Sequence, residues 1–263
     1  MTDLDQRRLQ QALAGRGLGQ PLHLLDATPS SNAHALQLAR AGCPHGTLVL
    51  ARQQSAGHGR QGSSWWHDVK HGLALSLVLR PELPARRATE LVHLAALAVD
   101  DVVRDCGVRS RLKWPNDVVV QDARGTRKLA GILVETAARG EALAYAVLGV
   151  GLNVNTAVED FPDALRGLAS SIRAETGQAQ DREAVVAALC GRLEHWLERL
   201  QRQGMAGLLD ALRQRSATLG QQVEVALDGR RVQGRAVDLD SDGALIVETA
   251  GGQQVRLVQP LAG

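Results

Sequence analysis

The chain has 263 residues, enough for one large domain or for a large domain with a small one. Thirty basic and 28 acidic residues leave a formal net charge of +2, and the absence of a polybasic run argues against an obligatory nucleic-acid or anionic-membrane partner. Three widely spaced cysteines fit a reducing compartment, no apolar run approaches the ~20 residues of a membrane helix, and the charged N-terminus lacks a signal-peptide core. We therefore expect a cytoplasmic protein.

The first elements are a short helix and a strand, predicted over residues 4–14 and Leu22–Asp26. Pro29 and the triplet Ser30-Ser31-Asn32 then precede a helix that Gly42 closes. Serine and asparagine cap helix N-termini, so capping explains the triplet in isolation. The same hydroxyls and amide could hydrogen-bond a polar ligand, and one residue can cap while another binds.

A glycine-rich loop, QSAGHGRQGSSWW at residues 54–66, follows the predicted strand Thr47–Ala51 and precedes another, Gly72–Leu79. Glycine amides beside an arginine can cradle a phosphate or a carboxylate, although a plain surface linker has a similar composition. The loop matches neither a Walker A motif nor a dinucleotide-binding GxGxxG motif. Its notable residues are three glycines, two basic residues and two tryptophans: Gly57, Gly59, Gly62, His58, Arg60, Trp65 and Trp66.

Apolar residues recur at helical spacing over Ala88–Cys106, so we predict a core helix in which His93 is structural. A β-hairpin, Val118–Gln121 with Leu129–Glu135, follows. It brings Asp117 and Lys128 to the same end of the ribbon. This acid and base form either a surface ion pair of little energetic value or a site for a metal ion and a phosphate.

Beyond the hairpin, a strand over Leu143–Val150 runs into GVGLNVN, which we predict to be a polar, glycine-rich turn. A helix over Ala184–Leu200 and a second helical piece come next. Short β segments after Leu219 suggest a small barrel. The turns between them contain pairs that favour hairpins, Asp228-Gly229, Asp242-Gly243 and Gly251-Gly252. We place the domain boundary between 1–216 and 217–263.

Four patches stand in one order: SSN, QxxGxGRxGxxW, KWPND with KLAGILVE, and GVGLNVN, followed by the short β segments. Together, over about residues 22–261, the chain resembles the biotin–protein ligases. The resemblance implies an α+β fold, with a catalytic domain similar to class II aminoacyl-tRNA synthetases and an SH3-like C-terminal domain. It also implies ATP-dependent biotinylation of a lysine of biotin carboxyl carrier protein through biotinyl-5′-AMP, with biotin and ATP as substrates and Mg²⁺ as the metal ion.

Carried over by motif position, the resemblance assigns biotin contacts to Ser30, Ser31, Asn32, Gln54, Gly57, His58, Gly59, Arg60, Lys128 and Gly131. It assigns ATP or adenylate contacts to Arg60, Trp65, Asn116, Asp117, Lys128 and Asn153. Lys128 and Arg60 are the expected catalytic residues, because two anions must be brought together before the biotin carboxylate attacks the α-phosphate. Asp117 is the expected Mg²⁺ ligand.

The sequence departs from the common family pattern where the loop meets the phosphates. The family often has arginine where His58 stands, and often another where Ser63 stands. Histidine is only partly charged near neutral pH, so we expect these differences to weaken retention of ATP or the adenylate more than the reaction itself.

Three other functions fit the sequence less well. A lipoyl or octanoyl protein ligase would share the fold class, but the SSN triplet and Gln54 favour a polar bicyclic head group. A biotin-responsive DNA repressor needs an N-terminal DNA-binding domain of roughly 60 residues. About 20 residues precede the predicted catalytic domain, so we expect no DNA-binding role. A non-catalytic relative is the third alternative. For the quaternary structure, we expect either a monomer or a homodimer.

Overall fold

The computed structural model describes residues 3–60, 63–68, 70–227, 230–258 and 261. Two of the features named above, Gly62 and the pair Asp228-Gly229, lie outside the described residues. The described helices are α1 (Gln6–Ala12), α2 (Ser31–Arg40), α3 (Glu90–Asp105), α4 (Ile172–Thr176), α5 (Arg182–Gln203) and α6 (Ala206–Arg215). In these ranges no helix combines the length and the apolarity needed to cross a membrane.

The strands are β1 (Leu22–Thr28), β2 (Leu48–Gln54), β3 (Gly72–Leu79), β4 (Arg111–Lys113), β5 (Asp117–Asp122), β6 (Gly125–Arg139), β7 (Ala142–Asn153), β8 (Gln222–Leu227), β9 (Arg230–Leu239), β10 (Leu245–Glu248) and β11 (Gln254–Leu257). They form three groups along the chain: β1 to β3, with α2 after β1; β4 to β7, after α3; and β8 to β11, after α6. The predicted α+β class is confirmed. The shortest strand, β4, and the shortest helix, α4, are absent from the sequence predictions because segments of three and five residues show no measurable periodicity.

A seven-stranded sheet with the order β1-β2-β3-β7-β6-β5-β4 forms the frame of the larger part. Strands β1 and β2 are parallel, and the other neighbours are antiparallel. Helix α2 packs on one face through a small cluster, and α3 packs on the other within the main core. Covered on both faces, the interior strand β3 is buried at every residue, which explains its almost uninterrupted apolar sequence GLALSLVL.

The prediction that GVGLNVN forms a turn is wrong for most of the motif. Strand β7 continues through Asn153, where it pairs with Gly72 of β3, and Gly151 lies opposite Gly131 of β6. Glycine is usually poor in a strand because it leaves no side chain to pack. Here β7 is hydrogen-bonded on both edges, and the missing side chains leave room for groups that lie over the sheet.

The four C-terminal strands form an antiparallel sheet with the order β11-β10-β9-β8 among the described residues. The segment joining it to α6 is tied to the larger sheet: the Ala217 amide donates to the Leu112 carbonyl at 2.7 Å, and the Trp114 amide donates to Thr218 Oγ1 at 2.9 Å. The boundary that we predict after residue 216 falls in this segment.

His93, expected to be structural, lies where α3 meets the turn between β9 and β10. Its side chain is only 5% exposed, and a Cβ added at Gly243 would come within 2.4 Å of its Nε2 atom. Burial lowers the pKa of His93 to about 4, although the Asp240 carboxylate and a hydrogen bond with the Gly243 backbone oppose that shift. The imidazole is therefore neutral at pH 7 in the folded protein.

This burial makes the stability pH-dependent, with a definite sign. The unfolded chain binds a proton at His93 below about pH 6.5, whereas the folded chain does so only near pH 4, so stability present above pH 6.5 is lost as the pH falls. We expect His93 to account for about 2 kcal/mol of the loss in unfolding free energy between pH 7 and pH 5. Urea unfolding at both pH values should show a smaller loss in His93→Gln.

His195→Gln is the matched control, because His195 is exposed on α5. We expect this variant to keep the wild-type difference between pH 7 and pH 5. An undiminished pH dependence in His93→Gln would contradict the assignment.

Candidate active site

A cavity of about 230 Å³ lies between the N-terminus of α2, the glycine-rich loop and strands β6 and β7. The predicted site residues converge on it from four separate parts of the chain. Lining it are Ser30, Ser31, Asn32, Gln54, His58, Gly59, Arg60, Trp65, Asn116, Asp117, Lys128 and Gly131. Gly57 and Asn153 are the two predicted residues that do not line it.

The serine–serine–asparagine triplet both caps α2 and faces the cavity. Ser30 is the N-cap, and its hydroxyl accepts from the Ala33 amide at 3.3 Å. The Ser31 amide donates to Gln54 Oε1 at 2.7 Å, which ties the start of α2 to the end of β2. Ser30 therefore caps the helix, and all three residues of the triplet line the cavity.

Behind the triplet the structure adds a chain of polar groups, which includes buried Ser76 and half-buried Glu135. Ser76 Oγ lies 2.8 Å from Ser31 Oγ and 2.5 Å from Asn32 Oδ1, and Asn32 Nδ2 donates to Glu135 Oε2 at 2.8 Å. The sequence held two signals: Ser76 is a single polar residue inside an apolar strand, and Glu135 ends the KLAGILVE motif. Buried polar groups need such partners.

Lys128 and Asp117 form an ion pair in the cavity wall. Lys128 Nζ lies 2.7 Å from Asp117 Oδ1, and it is 5.4 Å from the centroid of the Trp65 ring. The predicted proximity of the two charged residues is confirmed. Their side chains are 36% and 23% exposed, so the pair is open to an entering ligand from the cavity.

The backbone around Lys128 is fixed by a neighbouring segment. The Lys128 amide donates to the Leu168 carbonyl at 2.8 Å, and its carbonyl accepts from the Ser170 amide at 2.9 Å. The buried side chain of Asn153 donates to the Ser170 carbonyl at 3.0 Å. Asn153 does not line the cavity, and its side-chain amide is held by Ser170 instead.

Arg60 reaches the same cavity from the glycine-rich loop. Its Nη1 donates to Asn116 Oδ1 at 3.4 Å, and Asn116 Nδ2 donates in turn to the Ile132 carbonyl at 2.7 Å. Burial lowers the pKa of Arg60, and the charge of Asp117 partly offsets that effect. The guanidinium stays protonated at neutral pH, since arginine cannot be deprotonated there. The cavity therefore contains two fixed positive charges.

The glycine-rich loop closes on itself over the cavity. The Trp65 amide donates to the Gly57 carbonyl at 2.9 Å, and the Gly59 amide donates to the Ser63 carbonyl at 2.6 Å. Gly57 lies behind the wall, where an added Cβ would be 3.0 Å from Gln54 Nε2 and from the Trp65 carbonyl. Its role in this conformation is to let Gln54 and Trp65 approach each other.

Three glycines of β6 and β7 form the cavity floor. A Cβ at Gly151 would lie 2.3 Å from the Trp65 ring, and one at Gly131 would lie 3.3 Å from it. A Cβ at Gly149 would lie 2.2 Å from Asn32 Oδ1. Gly149 and Gly151, for which the sequence predicts a turn, instead form the surface on which Asn32 and Trp65 rest.

Among the described residues, no group of three or more His, Cys, Asp or Glu side chains could hold a metal ion. Asp117 supplies the carboxylate of the cavity lining, and it is paired with Lys128. The arrangement suits a ligand that brings negative charge to Arg60 and Lys128 and a polar, uncharged head to the serine–serine–asparagine triplet.

The floor geometry predicts an overpacking effect. Gly151→Ala should push Trp65 off the floor and lower the free energy of unfolding by roughly 1–3 kcal/mol. Urea unfolding measures this value. In a Trp65→Ala background the same substitution should cost much less, because the clashing ring is gone.

Gly251→Ala serves as the control, since an added Cβ there meets nothing closer than 4.0 Å. We expect it to change the free energy of unfolding by less than about 0.5 kcal/mol. An equal cost of Gly151→Ala with and without Trp65 would contradict the contact.

Comparison with known proteins agrees with this geometry. Residues 25–153 match the model of the biotin/lipoate A/B protein ligase family, and residues 218–258 match that of the biotin protein ligase C-terminal domain. Among solved structures, the biotin protein ligase from Aquifex aeolicus in complex with biotin and ATP superimposes with a TM-score of 0.76. The match is 23% identical in sequence and covers 90% of this chain and 95% of that chain, which supports the fold.

Two curated relatives are more similar in sequence. The biotin--[acetyl-CoA-carboxylase] ligase of Paracoccus denitrificans is 36% identical over 238 residues, which cover 88% of this chain and 96% of the relative. The enzyme of the same name from Mycobacterium tuberculosis is 36% identical over 257 residues, with 94% and 91% covered. At this identity and coverage, the chain belongs to the biotin protein ligase family.

Proposed function

We propose that this protein is an ATP-dependent biotin ligase that makes biotinyl-5′-AMP and transfers the biotinyl group to a lysine of a carrier protein. The observation that supports it most is the convergence of Arg60 and Lys128 on one cavity that also holds the buried serine–serine–asparagine triplet. This places two cations at one end of the pocket and neutral hydrogen-bonding groups at the other. Biotin has the matching polarity, with a carboxylate and a cyclic urea.

In the first step, a biotin carboxylate oxygen forms a bond to the α-phosphorus of ATP, and the bond to the departing pyrophosphate breaks. Both reactants are anions, so their approach is opposed by charge. Lys128 and Arg60 offset that repulsion and stabilise the charge of the transition state. Because hydrogen bonds hold the Lys128 backbone and the Arg60 side chain, little reorganisation is needed when the substrates meet.

When an anionic ligand enters, Lys128 exchanges its contact with Asp117 for a contact with the ligand. In the free protein the Asp117 carboxylate neutralises the ammonium, and a carboxylate or phosphate of the ligand takes over that contact in the complex. We propose that Mg²⁺ arrives with ATP as a substrate complex. Magnesium is usually bound by one or two carboxylates together with substrate phosphates, and Asp117 could supply one.

In the second step, the amine of the acceptor lysine forms a bond to the carboxyl carbon of biotinyl-5′-AMP, and AMP leaves. Water must be excluded in the interval, because the mixed anhydride hydrolyses readily. The glycine-rich loop provides cover: Trp65 lies over the floor, and the ring of Trp66 lies 5.6 Å from that of Phe161. We propose the biotin carboxyl carrier domain of a carboxylase as the acceptor and the cytoplasm as the location.

Isotope exchange between pyrophosphate and ATP tests the first step directly. The purified protein should catalyse this exchange when biotin is present and not when octanoate replaces it, because the serine–serine–asparagine triplet suits a polar ring and not an alkyl chain. Exchange driven by octanoate and not by biotin would favour a lipoyl or octanoyl ligase instead.

Removing the lysine ammonium tests the charge argument. Lys128→Ala should lower the rate of biotin-dependent exchange by roughly 10²–10³-fold, while the unfolding midpoint stays near the wild-type value. Lys70 is exposed and does not line the cavity, so the Lys70→Ala variant should catalyse the exchange at the wild-type rate. Near-normal turnover by Lys128→Ala would remove this residue from the mechanism.

A further inference from the structure

Glu135 is an acidic residue that hydrogen-bonds Asn32, a side chain of the cavity wall. It is on β6, on the same face as Gly131 and Leu133, because alternate residues of a strand share a face. Gly131 and Leu133 line the cavity, and Glu135 lies one step further, beneath the start of α2. There its Oε2 accepts from Asn32 Nδ2 at 2.8 Å. Nothing in the proposed chemistry uses this carboxylate.

The carboxylate determines which way the Asn32 amide points. An ionised carboxylate can only accept hydrogen bonds, so the Nδ2 end of Asn32 must face Glu135 and the Oδ1 end must face away. Oδ1 then occupies the space above Gly149, where an added Cβ would be 2.2 Å away. Asn32 is 4% exposed, so the orientation is held by these contacts and not by solvent.

This orientation extends to Ser76 and Ser31. Asn32 Oδ1 can only accept, and the hydroxyl 2.5 Å from it is that of Ser76, which has one proton to give. Once that proton is committed, the contact between the Ser76 and Ser31 hydroxyls at 2.8 Å requires Ser31 to donate. Ser31 Oγ is then left as an acceptor toward the cavity.

Asn32 keeps one donor in this arrangement. In the part of the chain that the structure describes, one Nδ2 hydrogen bonds Glu135, and the second has no partner. A cyclic urea presents two N–H donors and one carbonyl acceptor. Ser31 Oγ and the second Asn32 N–H offer the complementary acceptor and donor.

We infer that Glu135 is a positioning residue that sets the hydrogen-bond polarity of the pocket through Asn32 and Ser76, and so determines selectivity for a urea head group. This inference rests on the proposed function, because it identifies the head group as that of biotin. Glu135 does not touch the reacting atoms. Its effect should therefore appear in biotin recognition and not in the use of ATP.

The test compares Glu135→Leu, which removes the acceptor, with Glu135→Gln, which keeps an acceptor oxygen. In biotin-dependent exchange, Glu135→Leu should raise the KM for biotin about 10-fold or more, while the KM for ATP stays within about twofold. Glu135→Gln should restore the KM for biotin to within about threefold of wild type. Glu141→Leu, at the exposed turn between β6 and β7, should match the wild type.

A second readout separates polarity from packing. In 2-iminobiotin a protonatable nitrogen replaces the urea oxygen, so a donor faces the Asn32 N–H and the wild-type pocket should reject it. Glu135→Leu frees the Asn32 amide to turn over. The ratio of kcat/KM for biotin to that for 2-iminobiotin should therefore fall at least about fivefold.

Two outcomes would overturn the inference: an unchanged KM for biotin in Glu135→Leu, or equal rises in both KM values with unchanged discrimination against 2-iminobiotin. The second pattern would mean that Glu135 supports only the fold. Failure of the proposed function is distinguishable, because the wild-type protein would then show no biotin-dependent exchange. Wild-type exchange with indifferent Glu135 variants would reject the inference alone.

Discussion

The ion pair between Lys128 and Asp117 is the interaction on which the site depends. A lone ammonium in a partly enclosed wall would be costly to desolvate, and the carboxylate at 2.7 Å removes much of that cost until an anion arrives. The second cation, Arg60, is held by Asn116 and not by a carboxylate, so it needs no partner exchange. The charge of Lys128 is thus neutralised by Asp117 until a ligand replaces that contact, whereas the charge of Arg60 is available to a ligand at all times.

The glycines of β6 and β7 explain how bulky groups can lie so close to this pair. Gly131 and Gly151 are opposite each other in the register, and the indole of Trp65 rests where their side chains would be. Lys128 Nζ is 5.4 Å from the centre of that indole, a distance at which the ring face attracts a cation. The same absence of side chains that weakens a strand therefore forms the recognition surface, and hydrogen bonds to β3 and β6 hold β7 in place.

The sequence by itself determined the local features of the protein. These features depend on neighbours within a few residues in the sequence. They are the serine cap at the start of α2, the apolar spacing of α3 and the turns that separate the C-terminal strands. The ordered motifs identified the family and most of the cavity lining, because loop residues such as Arg60 and Gln54 and hairpin residues such as Asp117 and Lys128 keep their motif spacing.

Only the tertiary structure decided which distant residues complete the site. Asn32 meets Ser76 and Glu135 across sequence separations of 44 and 103 residues, and these contacts follow from the order and register of the strands. A sequence motif shows neither the order of the strands nor their register. For the same reason GVGLNVN has the composition of a turn but forms part of a strand, because β3 and β6 pair with it on both sides. The position of Asn153 likewise depends on a distant residue, since its side-chain amide donates to the Ser170 carbonyl. Local preferences for capping, turns and helical spacing depend on neighbouring residues in the sequence, whereas the pairing of strands depends on residues that meet only when the sheet assembles.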